Sequence, residues 1–281
     1  MGYWLVRSPL ATPYSSAIIS FMTTNRRPKA DIMLEIRLHD VATAADSQDV
    51  YNQLYSEAGI SQSRSFYQWM YDKLALQPGD VYLDISCGRG ELTHLAQAAG
   101  IEAHGLDLSF AALRQGRTVD GTRHLLVGNA ERLPYASGRF SVVSNIGSLE
   151  HFLDMKTAVR ETARILQANG RAIILVPNTF SLLTNIWIAF RQGRTSIDDQ
   201  PIQRYAARYE WQQLLEENGL HVEKTMKYER IWPRGRADWN TYLRHPKEMV
   251  RLLLTPFIPL NLAWSFIFIC RKTEAHETRS L

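Results

Sequence analysis

Cysteine is scarce in this chain, since only Cys87 and Cys270 occur among its 281 residues. Two cysteines do not make a disulfide framework, so we expect a reduced, cytoplasmic protein. The chain also lacks a strong charge of either sign, because 32 basic and 28 acidic residues are mostly interspersed and leave a net charge of +4. So weak an excess does not indicate nucleic-acid binding, and we expect no nucleic-acid partner.

The first thirty residues contain no Asp or Glu, although they hold four basic residues among Ser, Thr and Pro. This composition is typical of a disordered or leader-like extension, which we expect over residues 1–45. Whether residues 1–32 belong to the mature protein stays open. The length of the chain and its 45% apolar composition fit one α/β domain, expected over residues 46–273 with a tail at 274–281.

Residues 81–90, VYLDISCGRG, predict a buried strand that runs into a glycine-bearing turn. Gly88 and Gly90 lack the Cβ atom that would keep a ligand away from the main chain. The following segment, about 91–99, predicts a helix whose amide groups and positive dipole end point at the turn. Such a strand, turn and helix can hold the anionic part of a nucleotide-like cofactor.

Two cofactor classes compete for this turn. The dinucleotide fingerprint G-x-G-x-x-G needs a third glycine for close packing of helix and strand, and Thr93 stands at that position. The pattern D-x-G-x-G-x-G fits residues 84–90, except that Ser86 replaces the first glycine. We expect a negative φ at Ser86, because serine is restricted to such conformations far more than glycine is.

Four later segments agree in order with the second pattern. Asp107 ends a strand-like run nineteen positions after Gly88, where an acidic residue can accept hydrogen bonds from both hydroxyls of a ribose. Residues 124–135, HLLVGNAERLPY, carry an asparagine whose side-chain oxygen can accept a hydrogen bond from an adenine amino group. Residues 140–145 predict another buried strand, and residues 164–178 predict a helix end, a glycine turn and a further strand.

Taken together, these motifs resemble the class I S-adenosylmethionine-dependent methyltransferases, nearest the broad type 11 group, over roughly residues 50–273. The resemblance implies a doubly wound, Rossmann-like α/β sheet of seven strands in the order 3-2-1-4-5-7-6, with strand 7 antiparallel. It also implies S-adenosylmethionine as cofactor. The cofactor-binding residues that it implies are Asp84, Ser86, Cys87, Gly88, Asp107, Leu108, Asn129, Ala130 and Asn145.

The same resemblance assigns these residues to the parts of the cofactor. Gly88 and its neighbours would hold the methionine part, Asp107 the ribose, and Asn129 with Ala130 the adenine. Asn145 would form the pocket floor beside the sulfonium.

Two insertions exceed ordinary loops, at about residues 179–208 and 229–263. Both start at the carboxyl ends of predicted strands, where open α/β sheets bind ligands, so we expect each to form a lid. The second is basic between Glu229 and Arg251, where six basic minus three acidic residues leave +3. It leads into nineteen uncharged residues, 252–270, whose two prolines favour a lid and a strand over a membrane span. Peripheral contact of this lid with a membrane surface stays open.

His151, which follows the fourth predicted strand, is the candidate general base if the acceptor is a hydroxyl. The alternative is that Glu150 and His151 only cap or pack against the next helix. Some quinone-pathway methyltransferases hold a divalent metal there with an E-x-x-E-H motif. Gly147 occupies the first carboxylate position of that motif, so we predict that no metal is bound.

Three functions remain open from the sequence. The first is an enzyme that methylates a small-molecule or lipid-like acceptor, such as an apolar molecule that carries an anionic group. The second is a non-catalytic S-adenosylmethionine-binding protein, suggested by the departures at Ser86 and Asn129. A nicotinamide oxidoreductase is third, and Thr93 counts against it. No feature of the sequence indicates an oligomeric state.

Overall fold

The structure is a computed structural model and describes residues 33–57, 59–116 and 124–273. In chain order its elements are β1 (Leu34–Arg37), α1 (Ala44–Glu57), α2 (Arg64–Leu74), β2 (Val81–Ile85), α3 (Glu91–Ala98), β3 (Glu102–Asp107), α4 (Phe110–Gly116), β4 (Leu125–Val127), β5 (Phe140–Ile146), α5 (Met155–Ile165), β6 (Leu166–Pro177), α6 (Trp187–Gln192), β7 (Ile202–Tyr205), α7 (Arg208–Glu216), β8 (Leu220–Tyr228), α8 (Arg236–Arg244), α9 (Pro246–Leu254) and β9 (Ser265–Lys272). Single helical turns add Leu149–His151, Leu182–Ile186, Thr255–Phe257 and Leu260–Leu262.

Seven strands form one sheet in the order β4-β3-β2-β5-β6-β9-β8. Neighbouring strands from β4 to β6 are parallel, whereas β9 runs antiparallel to both β6 and β8. This arrangement confirms the predicted order 3-2-1-4-5-7-6 with an antiparallel strand 7. The order reverses between β2 and β5, and in open α/β sheets the carboxyl ends of strands at such a point bind ligands.

Strand β2 is buried on both of its faces, as a central parallel strand should be. Leu83 and Ile85 pack into the apolar core on one side of the sheet. Tyr82 packs into a second core on the other side, together with Met70 and Leu74 of α2. Because side chains alternate along a strand, this pattern fixes the register of β2 and aims its carboxyl end at the turn that follows.

Ordered structure begins earlier in the chain than expected. Strand β1 pairs antiparallel with β7, so that Leu34 lies opposite Tyr205 and Arg37 opposite Ile202. The expected extension over residues 1–45 is therefore wrong for residues 34–37, which are held by a strand of the first insertion. Residues 1–32 and the expected tail at 274–281 lie outside the described residues.

The two insertions contact each other. The first contains α6 and β7, and the second contains α8 and α9. Arg251 Nη2 donates a hydrogen bond of 2.9 Å to the carbonyl of Leu183 and so joins them. The uncharged run 252–270 is divided between the end of α9, two helical turns and β9. Among the described helices, none combines the length and the apolar character that crossing a bilayer requires.

Candidate active site

A cavity of about 460 Å³ opens at the carboxyl ends of β2, β3 and β5, beneath the first insertion. Most of the residues predicted to bind the cofactor line it, and so does the candidate base His151. The predicted cofactor residues along its wall are Asp84, Ser86, Cys87, Gly88, Asp107, Leu108, Asn129 and Ala130. The cavity thus brings together residues that lie far apart in the sequence.

The turn after β2 bends sharply around the predicted cofactor position. Ser86 has φ +58°, so the expectation of a negative φ there is wrong. A non-glycine residue in this left-handed region costs about 1–2 kcal/mol. The main-chain amide of Cys87 donates a 3.0 Å hydrogen bond to the carbonyl of Leu106, and we attribute the left-handed bend to this bond with the neighbouring strand.

Gly88 also has a positive φ, +57°, and a Cβ atom on it would lie 2.8 Å from the hydroxyl of Tyr55. Both constraints require glycine at this position. The turn is therefore open to a ligand on one side and closed by α1, which carries Tyr55, on the other.

Asp107 is almost completely buried at the end of β3, 7% exposed. Its Oδ2 accepts a hydrogen bond of 2.7 Å from the amide of Gly88, and its Oδ1 accepts one of 2.7 Å from the amide of Ser109. Burial raises the pKa of Asp107 to about 6, although the two amides favour the charged form. Each carboxylate oxygen keeps a second lone pair, so both can still accept a hydrogen bond from a ligand hydroxyl.

Asp84 forms the inner wall beside the turn. Its Oδ1 accepts a hydrogen bond of 2.5 Å from Ser144 Oγ, which also lies 2.6 Å from the hydroxyl of Tyr82. Burial raises the pKa of Asp84 to about 7, and the hydrogen bond from Ser144 opposes that shift. A cationic ligand next to Asp84 would restore its charged form.

Asn129 and Ala130 form the far wall. Asn129 Oδ1 accepts a hydrogen bond of 2.8 Å from the amide of Glu131, which stabilises the local turn. The amide of Gly128 donates 2.9 Å to the carbonyl of Asp107, so this segment is held against β3. The side-chain oxygen of Asn129 retains one lone pair for a ligand.

Asn145 departs from the expectation that it forms the cavity floor. It is buried in β5 opposite Ile85, and it is not among the residues that line the cavity. The next position, Ile146, does line it, as the alternation of side chains along a strand would place it. Asn145 Oδ1 has no hydrogen-bond partner among the described residues.

His151 lies in the helical turn after β5 and is buried against the first insertion. Its Nδ1 donates a hydrogen bond to the carbonyl of Ile202 in β7. This bond leaves Nε2 as the unprotonated nitrogen of the neutral ring. Nε2 lies 3.7 Å from Oε1 of Glu150, and burial lowers the pKa of His151 below its ordinary value.

Several cavity residues were not found by sequence analysis. α1 contributes Tyr51 and Tyr55, and the first insertion contributes Asp198, Gln200 and Gln203. Tyr51 donates a 3.2 Å hydrogen bond to Gln200 Oε1, which joins the two elements. The spacing of Tyr51 and Tyr55, four residues apart on one helix face, is a signal that could have indicated α1.

The cavity wall is acidic. Five carboxylate side chains line it, and none of the described residues along it is a lysine or an arginine. The carboxylates are those of Asp84, Asp107, Glu131, Glu150 and Asp198. Within the described part of the chain, no group of three His, Cys, Asp or Glu residues is arranged to hold a metal ion.

Comparison with known proteins gives one family and a consistent set of relatives. A family model described as "Methyltransferase domain" matches residues 83–174. The ubiquinone/menaquinone biosynthesis C-methyltransferase UbiE of Cereibacter sphaeroides is 30% identical over 174 residues, which cover 59% of this chain and 67% of that protein. The 2-phytyl-1,4-naphtoquinone methyltransferase of Thermosynechococcus vestitus is 27% identical over 190 residues, 66% of this chain and 76% of that protein.

Among solved structures, the CcbJ methyltransferase of Streptomyces caelestis superposes with a TM-score of 0.56. The match covers 83% of this chain and all of that chain, at 14% sequence identity. Identity this low shows a shared fold and leaves the substrate to be argued from the site.

Proposed function

We propose that this chain, which belongs to the class I S-adenosylmethionine-dependent methyltransferases and takes its methyl group from S-adenosylmethionine, transfers that group to a small-molecule or lipid-like acceptor. The observation that carries the proposal is the continuous cavity, which runs from the glycine turn at Gly88 to His151 and the first insertion. It offers a second, polar region beyond the cofactor residues, where an acceptor can approach.

The residues of the turn fit the cofactor. Gly88 lines the cavity beside the position expected for the methionine group, and Asp107 keeps two lone pairs for ribose hydroxyls. Asp84 and Asp107 give this wall the negative charge that suits a cationic sulfonium and ammonium. When bound, S-adenosylmethionine supplies the activated methyl group, and the protein binds, orients and excludes water.

His151 is proposed as the general base for an acceptor hydroxyl. Its Nδ1 is committed to Ile202, so Nε2 is left to accept a proton, and His151 lines the cavity. A base in this position contributes roughly 10²–10⁴ to the rate. The segment that holds His151 is fixed by Arg204, whose Nη1 donates a 2.5 Å hydrogen bond to the carbonyl of Phe152.

The names of the two curated relatives support a quinone-like acceptor. Both are methyltransferases named for quinone compounds. Aromatic side chains line the cavity as well, and Tyr228 stacks on Trp264 with ring centroids 5.4 Å apart. A flat ring would find offset or edge contacts on such a wall.

The test is a transfer assay with tritiated methyl groups. The protein is incubated with labelled S-adenosylmethionine and an extract of cells from which its gene has been deleted, so that the unmethylated acceptor accumulates. We expect label in the small-molecule or lipid fraction. Label found only in protein or nucleic acid would contradict the proposal.

Peripheral membrane contact is proposed for the outer face of α9. Val250, Leu253, Leu254 and Phe257 recur at the spacing of one helix face and are exposed, Phe257 to 81%. Arg251 points away from this face and binds Leu183. An exposed apolar stripe beside basic residues is typical of helices that lie in the membrane interface.

Basic residues near this face favour contact with an anionic bilayer. Two exposed cations lie next to this helix in the chain, Arg244 at the end of α8 and Lys247 at the start of α9. We expect the protein to sediment with vesicles of phosphatidylcholine and phosphatidylglycerol, less with phosphatidylcholine alone, and less at high salt. Leu253→Glu should abolish binding, while the control Leu126→Glu, at the exposed edge of β4, should not. Equal sedimentation of the two variants would contradict the contact.

A further inference from the structure

The acceptor end of the cavity is built from hydrogen-bond acceptors and negative charge. Glu150, His151 and Asp198 line it, and no lysine or arginine among the described residues does. We propose that the acceptor is an uncharged molecule whose hydroxyl group binds between Glu150 and His151, and that the site rejects anionic acceptors. This inference rests on the proposed function. It departs from the anionic acceptor that the sequence suggested, because no lysine or arginine among the described residues lines the cavity.

Glu150 supplies the strongest observation. Its side chain is 5% exposed and lines the cavity, and its Oε2 has no hydrogen-bond partner among the described residues. A buried polar atom without a partner is unfavourable, and a ligand hydroxyl would satisfy it. Burial raises the pKa of Glu150 to about 8, so near neutral pH the carboxyl group can donate or accept a hydrogen bond.

Glu150 and His151 line the cavity close enough together to share one ligand oxygen. Glu150 Oε1 and His151 Nε2 are 3.7 Å apart, too far for a direct hydrogen bond. A hydroxyl beside both could donate its proton to Nε2 and accept from the protonated carboxyl group. The same geometry would hold the hydroxyl next to the nitrogen proposed as the base.

Asp198 sets the charge of this region. Its Oδ2 accepts a 2.5 Å hydrogen bond from Gln203 Nε2, and its Oδ1 accepts a 3.0 Å hydrogen bond from the amide of Gln200. Its negative charge raises the pKa of Glu150 and, against the larger effect of burial, that of His151. An anionic acceptor would therefore meet a fixed like charge in a partly desolvated space.

The basic side chain that contacts this segment offers no hydrogen-bond donor to the cavity. Arg204 donates to the carbonyls of Glu150 and Phe152, which lie on the main chain, and its Nε pairs with Glu35 at 2.6 Å. It is not among the residues that line the cavity. Its hydrogen-bond donors are thus used on main-chain carbonyls and on Glu35.

The experiment separates the labelled product by charge. The small-molecule fraction of the tritiated-methyl assay is passed over an anion-exchange resin at neutral pH. We expect the label in the unbound fraction. Glu150→Gln and Asp198→Asn should each lower the rate of labelling by about tenfold or more, a change of one decade in rate, while the affinity for S-adenosylhomocysteine stays unchanged. Asp199→Asn, whose exposed side chain does not line the cavity, is the matched control and should label like the unmodified protein.

The possible results distinguish a failure of the inference from a failure of the proposed function. Label retained on the resin would overturn the inference and leave the methyltransferase with a small-molecule acceptor intact. Unchanged labelling by both Glu150→Gln and Asp198→Asn would also overturn it. The absence of label from every small-molecule fraction, with S-adenosylhomocysteine still bound, would overturn the proposed function and the inference together.

Discussion

Glu35 and Arg204 form an ion pair in which Oε2 and Nε are 2.6 Å apart, although 169 positions separate them in the chain. Glu35 lies in β1 and Arg204 in β7. Nη1 of Arg204 donates hydrogen bonds to the main chain around His151, at the carbonyls of Glu150 and Phe152. A strand ahead of the expected domain thereby helps to hold the proposed base.

We expect Arg204→Met to lower stability and turnover but to leave cofactor binding unchanged. Three hydrogen bonds are lost and two carbonyls are left without this partner, so the free energy of unfolding should fall by about 1–3 kcal/mol. Because His151 loses its support, kcat should fall by more than about tenfold, whereas a Kd for S-adenosylhomocysteine should stay unchanged. Urea unfolding, calorimetry and steady-state assays measure the three quantities.

The control is Arg271→Met, because Arg271 also pairs with a glutamate and a carbonyl but lies at the distant end of β9. It should lower stability slightly and leave kcat unchanged. A loss of stability in Arg204→Met without a loss of kcat would mean that the pair only supports the fold.

Gly88→Ala should abolish cofactor binding, and a matched control can distinguish this effect from that of backbone strain. The new Cβ atom would lie 2.8 Å from the hydroxyl of Tyr55. Gly138→Ala is the matched control, since Gly138 has φ +68° but open space around it. Both changes cost about 1–2 kcal/mol of strain, and only the first should weaken S-adenosylhomocysteine in calorimetry.

The double variant Gly88→Ala with Tyr55→Phe removes the oxygen that the new methyl group would meet. It should recover part of the lost affinity. If the double variant binds no better than Gly88→Ala, the turn loses affinity through its main chain and the contact with Tyr55 is irrelevant.

The order of the sheet could be predicted from the sequence, and most of the residues predicted to bind the cofactor line the cavity. Strand β2 is marked locally by its apolar residues Val81, Leu83 and Ile85, and β3 by the carboxylate at its end, Asp107. Such local signals also give the order in which the motifs follow one another. The resemblance could then supply the order of the strands in space.

The acceptor side could not be predicted, because it depends on pairings between distant segments. Residues 34–37 read LEIR and are mostly exposed, so nothing local marks them as a partner for β7. The conformation of Ser86 could not be predicted for a similar reason. We attribute its left-handed φ to the hydrogen bond between Cys87 and the neighbouring strand, which outweighs the preference of serine for a negative φ.

Asp84→Asn should raise stability and weaken cofactor binding. Burial raises the pKa of Asp84 from 3.8 to about 7 in the folded protein. Between these values the folded state holds a proton that the unfolded state has lost, so this group makes stability fall as pH rises towards 7. At pH 8 the asparagine variant should be more stable by roughly 1–4 kcal/mol, at about 1.4 kcal/mol per pH unit.

Near pH 4 the same two proteins should unfold at nearly equal denaturant concentrations. Calorimetry should show weaker binding of S-adenosylmethionine to the variant, because the cation loses its carboxylate partner. A variant less stable than the unmodified protein at pH 8 would contradict the assigned cost of burying Asp84.

A chelator should leave turnover unchanged. Gly147 stands where a metal-binding E-x-x-E-H motif needs its first carboxylate, and its φ of +67° favours glycine there. We expect equal rates before and after dialysis against EDTA, and no stimulation by added Mg²⁺ or Zn²⁺. Loss of turnover on chelation, restored by a divalent ion, would show that the site recruits a metal by another route.

The pH dependence of kcat should distinguish a base at His151 from a packing residue. Burial lowers the pKa of His151 below 6.5, partly offset by the bond to Ile202 and by the charge of Asp198, while Arg204 lowers it further. A base works in its neutral form, so kcat should be retained at pH 7 and fall only as pH drops through a midpoint below 6.5. His151→Asn keeps an N–H for Ile202 but removes Nε2, so kcat should fall by roughly 10²–10⁴ and the acid limb should disappear. If this variant loses stability but keeps both kcat and the acid limb, His151 packs the turn and another group takes the proton.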